Sequence, residues 1–397
     1  MGEIAEVISG GTPRTSDASN FEAGDIPWLT PADLSGYTEK YVTRGARSIT
    51  TKGLASSSAK LVPTGSVLFT SRAPIGYVAI AKNPIATNQG FKNFVLKDGV
   101  LPEYVYWWLK GAKQAAEKLA SGTTFLEISG TNAKKLPIPI VGLERQKEIV
   151  AEIEKQFSRL DEAVANLKRV KANLKRYKAA VLKAAVEGRL VPTDGNWKAV
   201  ALGDIALSIR NGYSSKPDAE SGTPILRISA VRPMALDVAD VRYLSGNPKE
   251  YGSFLISPGD VLFTRYNGNR DYVGVCACVP ADIAPTVHPD KLIRVRVPTS
   301  TVLPEYLVIA ASTGSTRAFL ESKIRTTAGQ SGISGGDLKA LPLELPSVAE
   351  QRRIVEKVEQ HLSLIRGVET EIDINLQRGV ALKQSILNNA FRGASTT

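Results

Sequence analysis

The amino-acid sequence contains an internal repeat, and this repeat constrains the fold more than any other feature. Residues 136–150 are LPIPIVGLERQKEIV and residues 341–355 are LPLELPSVAEQRRIV, an offset of 205 positions. The offset holds without a gap from about Gly122 to Arg189 and, with small gaps, back to MGEIAEVISGG at residue 1 and LGDIALSIRNG at residue 202. A match of this length and order predicts two copies of one structural plan.

Each copy is predicted to contain a mixed domain followed by a long helix. A chain of 397 residues exceeds one ordinary core. Residues 1–141 and 192–346 have short apolar runs between Gly, Pro, Ser and Thr, which is typical of strands bounded by turns. One helix is predicted inside each domain, at PEYVYWWLKGAKQAAEKLAS and at PEYLVIAASTGSTRAFLES. The predicted fold class is therefore α+β, with two similar mixed domains.

The helical parts, residues 142–191 and 347–397, are predicted to pair with each other. Apolar residues recur at coiled-coil spacing, and about 44 helical residues span roughly 65 Å, too long to be covered by one domain. Two equivalent helices favour an antiparallel pair with a pseudo-two-fold axis and a mixed domain at each end. The predicted contact positions are Ile153, Phe157, Leu160, Val164, Leu167, Lys171, Leu174, Val181, Val358, Leu362, Ile365, Glu369, Ile372, Leu376 and Ile386.

Two of these contact positions are charged. Lys171 and Glu369 fall where an apolar side chain is expected, and an antiparallel crossing brings them close together. Buried polar pairs can fix the register of a coiled coil. We therefore predict that Lys171 and Glu369 fix the register of the helix pair.

Composition favours a polyanionic partner and a reducing compartment. The net charge is +11, which favours nucleic acid ahead of a membrane surface. The two cysteines, Cys276 and Cys278, are two residues apart on a predicted strand, too close for a relaxed disulfide. No apolar run approaches about 18 residues and no secretion signal is visible, so a cytoplasmic location is expected.

Motifs for catalysis are missing from the sequence. It contains no phosphate-binding G-x-x-x-x-G-K-[S/T] loop, and no methyltransferase pattern beyond isolated Asn-Pro dipeptides. With only His288 and His361, a histidine-based acid–base or zinc site is hard to assemble. Ligation of zinc by Cys276, Cys278 and His288 is less favoured than two strand cysteines and a loop histidine. A non-catalytic chain without a metal is predicted.

Each mixed domain has polar segments near strand ends whose side chains suit DNA. Arg grips guanine edges, Asn and Gln grip adenine edges, and Ser, Thr and Lys hold phosphates. In the first copy these are Thr12, Arg14, Thr15, Ser71, Arg72, Asn88, Gln89 and Lys92. In the second copy they are Asn211, Tyr213, Lys216, Arg265, Asn267, Asn269, Arg270, Gln330 and Ser331. The loop after the shared VLFT differs between the copies, which predicts two domains that recognise different sequences.

The sequence resembles the specificity subunit of type I restriction-modification systems over essentially its whole length. GGTPRT, GDIPWLTPADL, SRAPIGYVAI, TNQGFKN, GTTFLEISGTNAKKLPIPI and ERQKEIV carry the resemblance in this order. It implies two target-recognition domains, at 1–141 and 192–346, that each recognise half of a split DNA target. The two spacer helices then set the distance and dock two modification subunits. The resemblance also leads us to expect a short leading segment before MGEI, which the sequence does not show.

The resemblance assigns the chemistry to partner subunits of a prokaryotic, cytoplasmic complex. The modification subunits use S-adenosylmethionine to methylate adenine in double-stranded DNA, and restriction subunits use ATP and Mg²⁺ for translocation and cleavage. Two other interpretations stay open. A diverged DNA methyltransferase or nuclease predicts turnover of S-adenosylmethionine by the chain alone. A coiled-coil adaptor that binds only proteins predicts no salt-dependent binding to duplex DNA when the modification subunit is present.

Overall fold

The computed structural model describes residues 1–122, 126–327 and 329–392. The chain divides into two compact units. Unit 1 comprises Met1–Leu167 and Asp373–Thr397, and unit 2 comprises Lys168–Ile372. Each unit contains a mixed domain and one half of each long helix. The domain boundaries derived from the sequence therefore stay a prediction, since compactness groups each domain with the helix halves that pack on it.

Unit 1 has two sheets. Its strands are β1 (Ala5–Ser9), β2 (Ile26–Leu29), β3 (Tyr41–Val42), β4 (Arg47–Ile49), β5 (Leu61–Val62), β6 (Val67–Thr70), β7 (Val78–Ala81), β8 (Ile85–Thr87) and β9 (Phe91–Leu96). The strand orders are β1-β9-β6-β7-β3 and β4-β2-β8-β5. The short helices are α1 (Thr51–Ala55), α2 (Pro102–Gly111), α3 (Lys113–Lys118) and α4 (Gly130–Lys134), with 3-10 turns at Ala18–Asn20 and Pro31–Leu34. VLFT of β6 is buried along its whole length, as an unbroken apolar strand should be.

Unit 2 follows the same plan with smaller sheets. Its strands are β10 (Lys198–Ala201), β11 (Ser208–Asn211), β12 (Thr223–Leu226), β13 (Val231–Arg232), β14 (Ala235–Leu236), β15 (Val241–Leu244), β16 (Val261–Thr264), β17 (Tyr266–Asn267), β18 (Cys276–Cys278), β19 (Leu292–Arg296), β20 (Arg325–Thr327), β21 (Gln330–Gly332) and β22 (Pro342–Leu345). The central sheet has the order β11-β19-β16-β18, with β17-β21-β20 and the pairs β10-β22, β12-β15 and β13-β14 around it.

The helix predicted inside each domain is two helices. In unit 1 the break comes at Ala112, between α2 and α3. In unit 2 the helices are α7 (Pro304–Ala311) and α8 (Gly314–Lys323), which follow α6 (Leu202–Ile205) and precede α9 (Gly335–Lys339); 3-10 turns lie at Ile228–Ala230, Pro248–Phe254 and Arg270–Tyr272. Ser312 and Thr313 separate the two helices of unit 2, and Gly314, the first residue of α8, has a φ of +64°, a left-handed conformation that glycine adopts most readily. The prediction of one continuous helix was wrong at both sites.

One glutamine near the start of each long helix holds that helix against its own mixed domain. The Gln146 amide donates to the carbonyls of Gly99 and Val141 at 3.1 and 2.9 Å and accepts from the Leu101 N–H at 2.8 Å. Gln351 donates to Thr301 and Pro346, both at 3.0 Å, and accepts from the Leu303 N–H at 2.8 Å. Both side chains are buried. The internal repeat therefore extends to individual hydrogen bonds.

The long helices are α5 (Leu143–Val186, 44 residues) and α10 (Val348–Arg392, 45 residues). Within unit 1 they run antiparallel: Lys383 pairs with Asp161 at 2.6 Å, and the buried Gly379 leaves room for Val164. Within unit 2 the Tyr177 hydroxyl and His361 Nδ1 are 2.9 Å apart, and the Arg353 guanidinium contacts the Pro192 carbonyl beyond the end of α5. No helix in the described ranges is both long and apolar enough to cross a membrane.

The predicted contact positions on these helices differ in burial. Ile153, Val181, Val358, Leu362, Ile365, Ile372 and Ile386 are buried, and Phe157, Leu160, Val164, Leu167, Leu174 and Leu376 are partly buried. Glu369 is also partly buried, whereas Lys171 is exposed. A lysine can pack its methylene chain and still carry its ammonium to water, which explains the exposure. Control of the register by Lys171 and Glu369 stays a prediction.

Candidate nucleic-acid interface

The three polar segments of unit 1 lie side by side. The Gly11 N–H donates to the Thr87 carbonyl at 2.9 Å, and the Ser71 N–H donates to the Gly90 carbonyl at 2.7 Å. A Cβ at Gly10 would lie 1.9 Å from the Asn88 carbonyl oxygen, so only glycine permits this approach. Segments distant in sequence, GGTPRTS, TSRAPIG and TNQGFKN, thus form one polar surface at the ends of the strands.

The side chains of this surface differ in how tightly they are held. The Thr12 hydroxyl donates to the Gln89 side-chain oxygen, and the Asn88 side-chain oxygen accepts from the Gly90 N–H at 2.9 Å. Gln89, Arg14 and Thr15 are exposed, and Asn88 is partly exposed. The amide groups of Asn88 and Gln89 therefore stand at the surface with part of their hydrogen-bonding capacity already used in positioning.

Beneath them lies a charged cluster centred on Glu127. Its carboxylate contacts the Arg72 guanidinium and the Lys92 ammonium, each at 3.3 Å. The Lys92 side chain is 7% exposed and that of Arg72 is 36% exposed. Ser71 is fully buried, with no hydrogen-bond partner for its hydroxyl among the described residues. Arg72 is therefore accessible to a ligand in this conformation, whereas Ser71 and Lys92 support the loops from below.

Unit 2 has the same backbone framework. The Tyr213 N–H donates to the His288 carbonyl at 2.8 Å, as Gly11 does to Thr87. The Arg265 N–H donates to the Lys291 carbonyl at 2.8 Å, as Ser71 does to Gly90. The carbonyls of Arg265 and Ser71 in turn accept from Ile333 and Ile128, at 3.0 and 3.1 Å. The framework is repeated, and the side chains on it are not.

In unit 2 the first polar segment runs beside an aromatic cluster. Asn211 ends β11 and is exposed, as is Lys216. The Tyr213 ring packs edge-on against Tyr251 and Phe254, with centroids 5.2 and 5.4 Å apart. These ring contacts fix the position of Tyr213, and its partial exposure leaves one side of the ring accessible.

The second segment, RYNGNRD, follows β16. The Arg265 guanidinium lies 4.6 Å from the Tyr266 ring centroid and donates to the Asp290 carbonyl at 3.3 Å. Asn267 and Asn269 each cap the backbone two residues on, at 2.9 and 3.0 Å, which shapes the loop. Arg270 is exposed and donates to the Glu321 carbonyl at 3.2 Å.

The predicted residues Gln330 and Ser331 do not occupy the position in unit 2 that TNQGFKN has in unit 1. Ser331 is buried in the small sheet beside β17, its hydroxyl 2.9 Å from that of Thr326, and Gln330 is exposed. The structural counterpart of TNQGFKN is HPDKLIR, residues 288–294, which also precedes a central strand. Comparison of the two copies of the repeat did not reveal this counterpart. The two segments run into corresponding strands, but they have almost no residue types in common.

A basic groove next to HPDKLIR was also overlooked. Its cavity of 620 Å³ is lined by Tyr213, Ser214, Ser215, Lys216, Pro217, Ile225, Leu226, Arg227, Ile228, Ser229, Arg242, Pro289, Asp290 and Lys291. Four of these side chains are cationic, and only Arg227 has a described acidic partner within the groove's surroundings, Asp240 at 3.5 Å. The available signal was the arginine of TPILR, Arg227, which directly follows a short apolar run.

Arg242 occupies the position that Arg47 has in unit 1. Arg242 pairs with Ile225 of β12, as Arg47 pairs with Trp28 of β2. The Arg47 guanidinium stacks 4.1 Å from the Phe21 ring centroid, whereas Arg242 faces the open groove. His288, at the framework position of Thr87, is buried, and burial lowers its pKa to about 4. In the described part of the chain, no group of three His, Cys, Asp or Glu side chains is placed to hold a metal ion.

Comparison with known proteins gives one family match and several similar proteins. Residues 1–176 match the family described as type I restriction modification DNA specificity domain. The specificity subunit of the type I restriction enzyme EcoKI of Escherichia coli (strain K12) is 37% identical over 288 residues, which are 70% of this chain and 62% of that protein. The aligned part therefore spans less than two thirds of that relative's length.

Two solved structures share the fold. The HsdS subunit from Thermoanaerobacter tengcongensis superposes with a TM-score of 0.64 at 18% identity, covering 99% of this chain and 95% of that one. A chain from a study of complex assembly and conformational transition of the type I R-M system gives 0.73 at 18% identity, covering 99% and 96%. The sequence matches therefore make this chain similar to specificity subunits of type I restriction enzymes, and the two solved structures share its fold over nearly the whole chain.

Proposed function

We propose that this chain is the DNA sequence-specificity subunit of a type I restriction-modification complex and that each unit recognises one half of a split target. One observation carries the proposal: the same backbone framework holds different polar side chains in the two units. Unit 1 presents Asn88, Gln89 and Arg72 where unit 2 presents a cationic groove. A shared scaffold with different polar groups suits two related recognition events with different sequences.

The polar surface of unit 1 and the groove of unit 2 suit different parts of the DNA. Amide side chains such as Asn88 and Gln89 make bidentate contacts to adenine edges, and Arg72 suits guanine. Lys216, Arg227, Arg242 and Lys291 line the groove of unit 2, and such cations neutralise phosphates. The net charge of +11 favours the same ligand.

The subunit's partners are inferred from the resemblance to type I specificity subunits and are part of the proposal. Two modification subunits dock on α5 and α10 and methylate adenine with S-adenosylmethionine, and restriction subunits supply ATP- and Mg²⁺-dependent cleavage. The chain itself is non-catalytic and acts in the prokaryotic cytoplasm. Its long helices are suited to a spacing role because a helix is stiff and rises a fixed 1.5 Å per residue.

Methylome sequencing tests this function directly. A host that expresses this chain with its modification subunit should carry methylated adenines in one motif of two defined halves around an unspecified gap. A continuous motif, or no motif with an active modification subunit, would contradict the proposal. Turnover of S-adenosylmethionine by the purified chain alone would favour a methyltransferase instead.

Loop variants then assign each half of the motif to a unit. Asn88→Ala with Gln89→Ala should relax one half and leave the other unchanged, because only unit 1 loses base contacts. Arg265→Ala with Lys291→Ala should affect only the second half. Lys97→Ala is a matched control, since Lys97 follows the opposite end of β9 from these loops. Relaxation of both halves by one variant pair would contradict the assignment.

A further inference from the structure

A carboxylate lies within the polar surface of unit 1, where contact with DNA would favour cations. The Arg72 guanidinium donates to Glu127 Oε2 and the Lys92 ammonium donates to Glu127 Oε1, each at 3.3 Å. The Glu127 side chain is 36% exposed. A carboxylate at this place repels phosphates, so Glu127 by itself weakens the attraction of the surface for DNA. Any contribution of Glu127 to recognition therefore acts through the two cations that it contacts.

Arg72 is the cation of this cluster that a ligand can reach. Its side chain is 36% exposed, and its contact with Glu127 uses one N–H group of Nη1. Among the described residues, no other hydrogen bond involves the Arg72 guanidinium. A guanidinium carries several N–H groups in one rigid plane, so one contact can orient it while the others stay available. Arg72 is thus held on one side and open to a ligand on the other.

Lys92 holds the same carboxylate from below. Its side chain is 7% exposed, and Glu127 is the only described partner of its ammonium. A buried ammonium without a partner is costly, so Lys92 and Glu127 keep each other in place. One oxygen of the carboxylate is therefore anchored in the interior, and the other is directed at Arg72.

The counterparts of Arg72 and Glu127 in unit 2 are Tyr266 and Gly332. The shared framework identifies them: the carbonyl before Arg72 and the carbonyl before Tyr266 accept equivalent N–H groups, from the residues after Glu127 and Gly332. Tyr266 and Gly332 also lie directly opposite each other in a strand pair. A Cβ at Gly332 would lie 2.2 Å from Tyr266 Cδ1, so the tyrosine ring occupies the place of the acid.

The third position of the cluster also differs between the units. Lys92 lies opposite Phe69 in the sheet of unit 1, and Ile293 lies opposite Phe263 in that of unit 2. Two cations and their acid are thus replaced together by an aromatic ring, a glycine and an aliphatic side chain. Joint replacement on the same backbone framework indicates that the three charges act as one group and that the fold does not require them.

We propose that Glu127 is a positioning residue for base recognition by unit 1 and holds Arg72 in the orientation that recognises a guanine. The proposal rests on the DNA-specificity function proposed above and adds a base pair and the residue that selects it. A guanidinium of fixed orientation presents two parallel N–H groups to guanine N7 and O6, whereas one that rotates also binds phosphates. The half-site of unit 1 therefore contains a G·C pair whose selection depends on Glu127.

Methylation kinetics of the complex of this chain with its modification subunit test the proposal. Duplexes with one substituted base pair at each position of the target, compared with the unchanged target, give the discrimination at that position. Arg72→Ala should lower discrimination at one G·C pair by about tenfold or more, because a bidentate contact is lost. Glu127→Ala should lower it at the same pair by about threefold to tenfold, since Arg72 remains but is no longer oriented. The half-site of unit 2 should be unaffected.

The double variant separates positioning from support of the fold. Since Glu127 acts through Arg72, adding Glu127→Ala to Arg72→Ala should change discrimination by less than about twofold. Glu127→Ala should also bind non-specific duplex at least as tightly as the wild type, because a charge that repels phosphates is removed. A purely structural role would weaken binding to every duplex. Asp98→Ala, which removes an exposed carboxylate beyond the opposite end of β9, is the control.

A further variant removes the effect of the unpaired ammonium. Glu127→Ala leaves the buried Lys92 without its partner, so Glu127→Ala with Lys92→Met is measured as well and should lose the same discrimination. The proposal is overturned when no G·C pair depends on Arg72, or when Glu127→Ala keeps its full effect in the Arg72→Ala background. Absence of a two-part methylated motif with the wild-type chain would instead overturn the proposed function, so the two failures are distinguishable.

Discussion

The two units are alike in backbone and different in surface. Both anchor a long helix through a buried glutamine, and both connect their polar loops through corresponding N–H and carbonyl groups. Yet unit 1 presents amide side chains above an acid-centred cluster, and unit 2 presents a cationic groove beside aromatic rings. The hydrogen bonds that the two units share join main-chain atoms to one another or to a buried glutamine, so exposed side chains are free to differ.

The glutamine anchors should give the largest effect and an equal one in both units. Gln146→Ala and Gln351→Ala each remove three hydrogen bonds and leave buried backbone groups unpaired. We expect each to lower the free energy of unfolding by about 3 kcal/mol. Urea unfolding measures it, and Gln377→Ala on the exposed face of α10 is the control. If only one of the two substitutions lowers the free energy of unfolding, the two glutamines are not equivalent.

The buried histidine should make unit 2 acid-sensitive in a way that unit 1 is not. The pKa of His288 is lowered to about 4 from an ordinary value of 6.5, so the unfolded chain binds a proton first as pH falls. The stabilisation that comes from keeping His288 neutral is complete above about pH 6.5 and is lost progressively as the pH falls to about 4. Between pH 7 and 5 this loss amounts to about 2 kcal/mol.

Urea unfolding at pH 7 and pH 5 measures the loss. His288→Gln should remove that part of the pH dependence, and His361→Gln on α10 is the control. The prediction is contradicted when wild type and His288→Gln lose equal stability between the two pH values. Unit 1, with Thr87 at the same framework position, should show no corresponding loss.

Arg242 and Arg47 occupy corresponding positions in the two units, and their substitution should affect DNA binding to different extents. Arg242→Ala should weaken duplex DNA binding by about tenfold and lower the salt dependence by about one ion, because its guanidinium faces the groove. Arg47→Ala should weaken it by about threefold, since that guanidinium is stacked on Phe21. Binding of the assembled complex at several salt concentrations measures both. Equal effects would place the two arginines in equivalent roles.

The smallest effect concerns the helix register. Lys171→Leu, Glu369→Leu and the double variant should show a coupling of about 0.5 kcal/mol, small because Lys171 is exposed. Urea unfolding of all three variants and the wild type gives this coupling. Strictly additive effects would remove the pair from any role in register.

The parts of the fold that follow from periodicity were predictable from the sequence. The repeat predicted two mixed domains, and the recurring apolar spacing predicted helices close to the observed Leu143–Val186 and Val348–Arg392. The breaks at Ala112 and at Ser312–Thr313, just before Gly314, were not predicted, because the flanking residues suit one helix and only the tertiary context selects two. Glycine at 314 was visible, but its left-handed φ was not.

The candidate interface was predictable only in part. The structure brings all three predicted segments of unit 1 together, and their contact with DNA stays a prediction. Burial of Ser71 and Lys92 was not foreseeable, because loops lack the alternation that separates inward from outward residues. HPDKLIR was missed because its role follows from strand pairing with β11 and β16, not from its residue types.

The anchoring glutamines have a consequence for how such a protein can change. Gln146 and Gln351 hold their domains through main-chain carbonyls and one main-chain N–H each. Every residue type offers a carbonyl, so the attachment places little demand on the sequence of the domain it holds. A foreign domain with the same path through these few atoms should be accepted without redesign of the helices. Exchange of whole domains is then an economical source of new DNA targets.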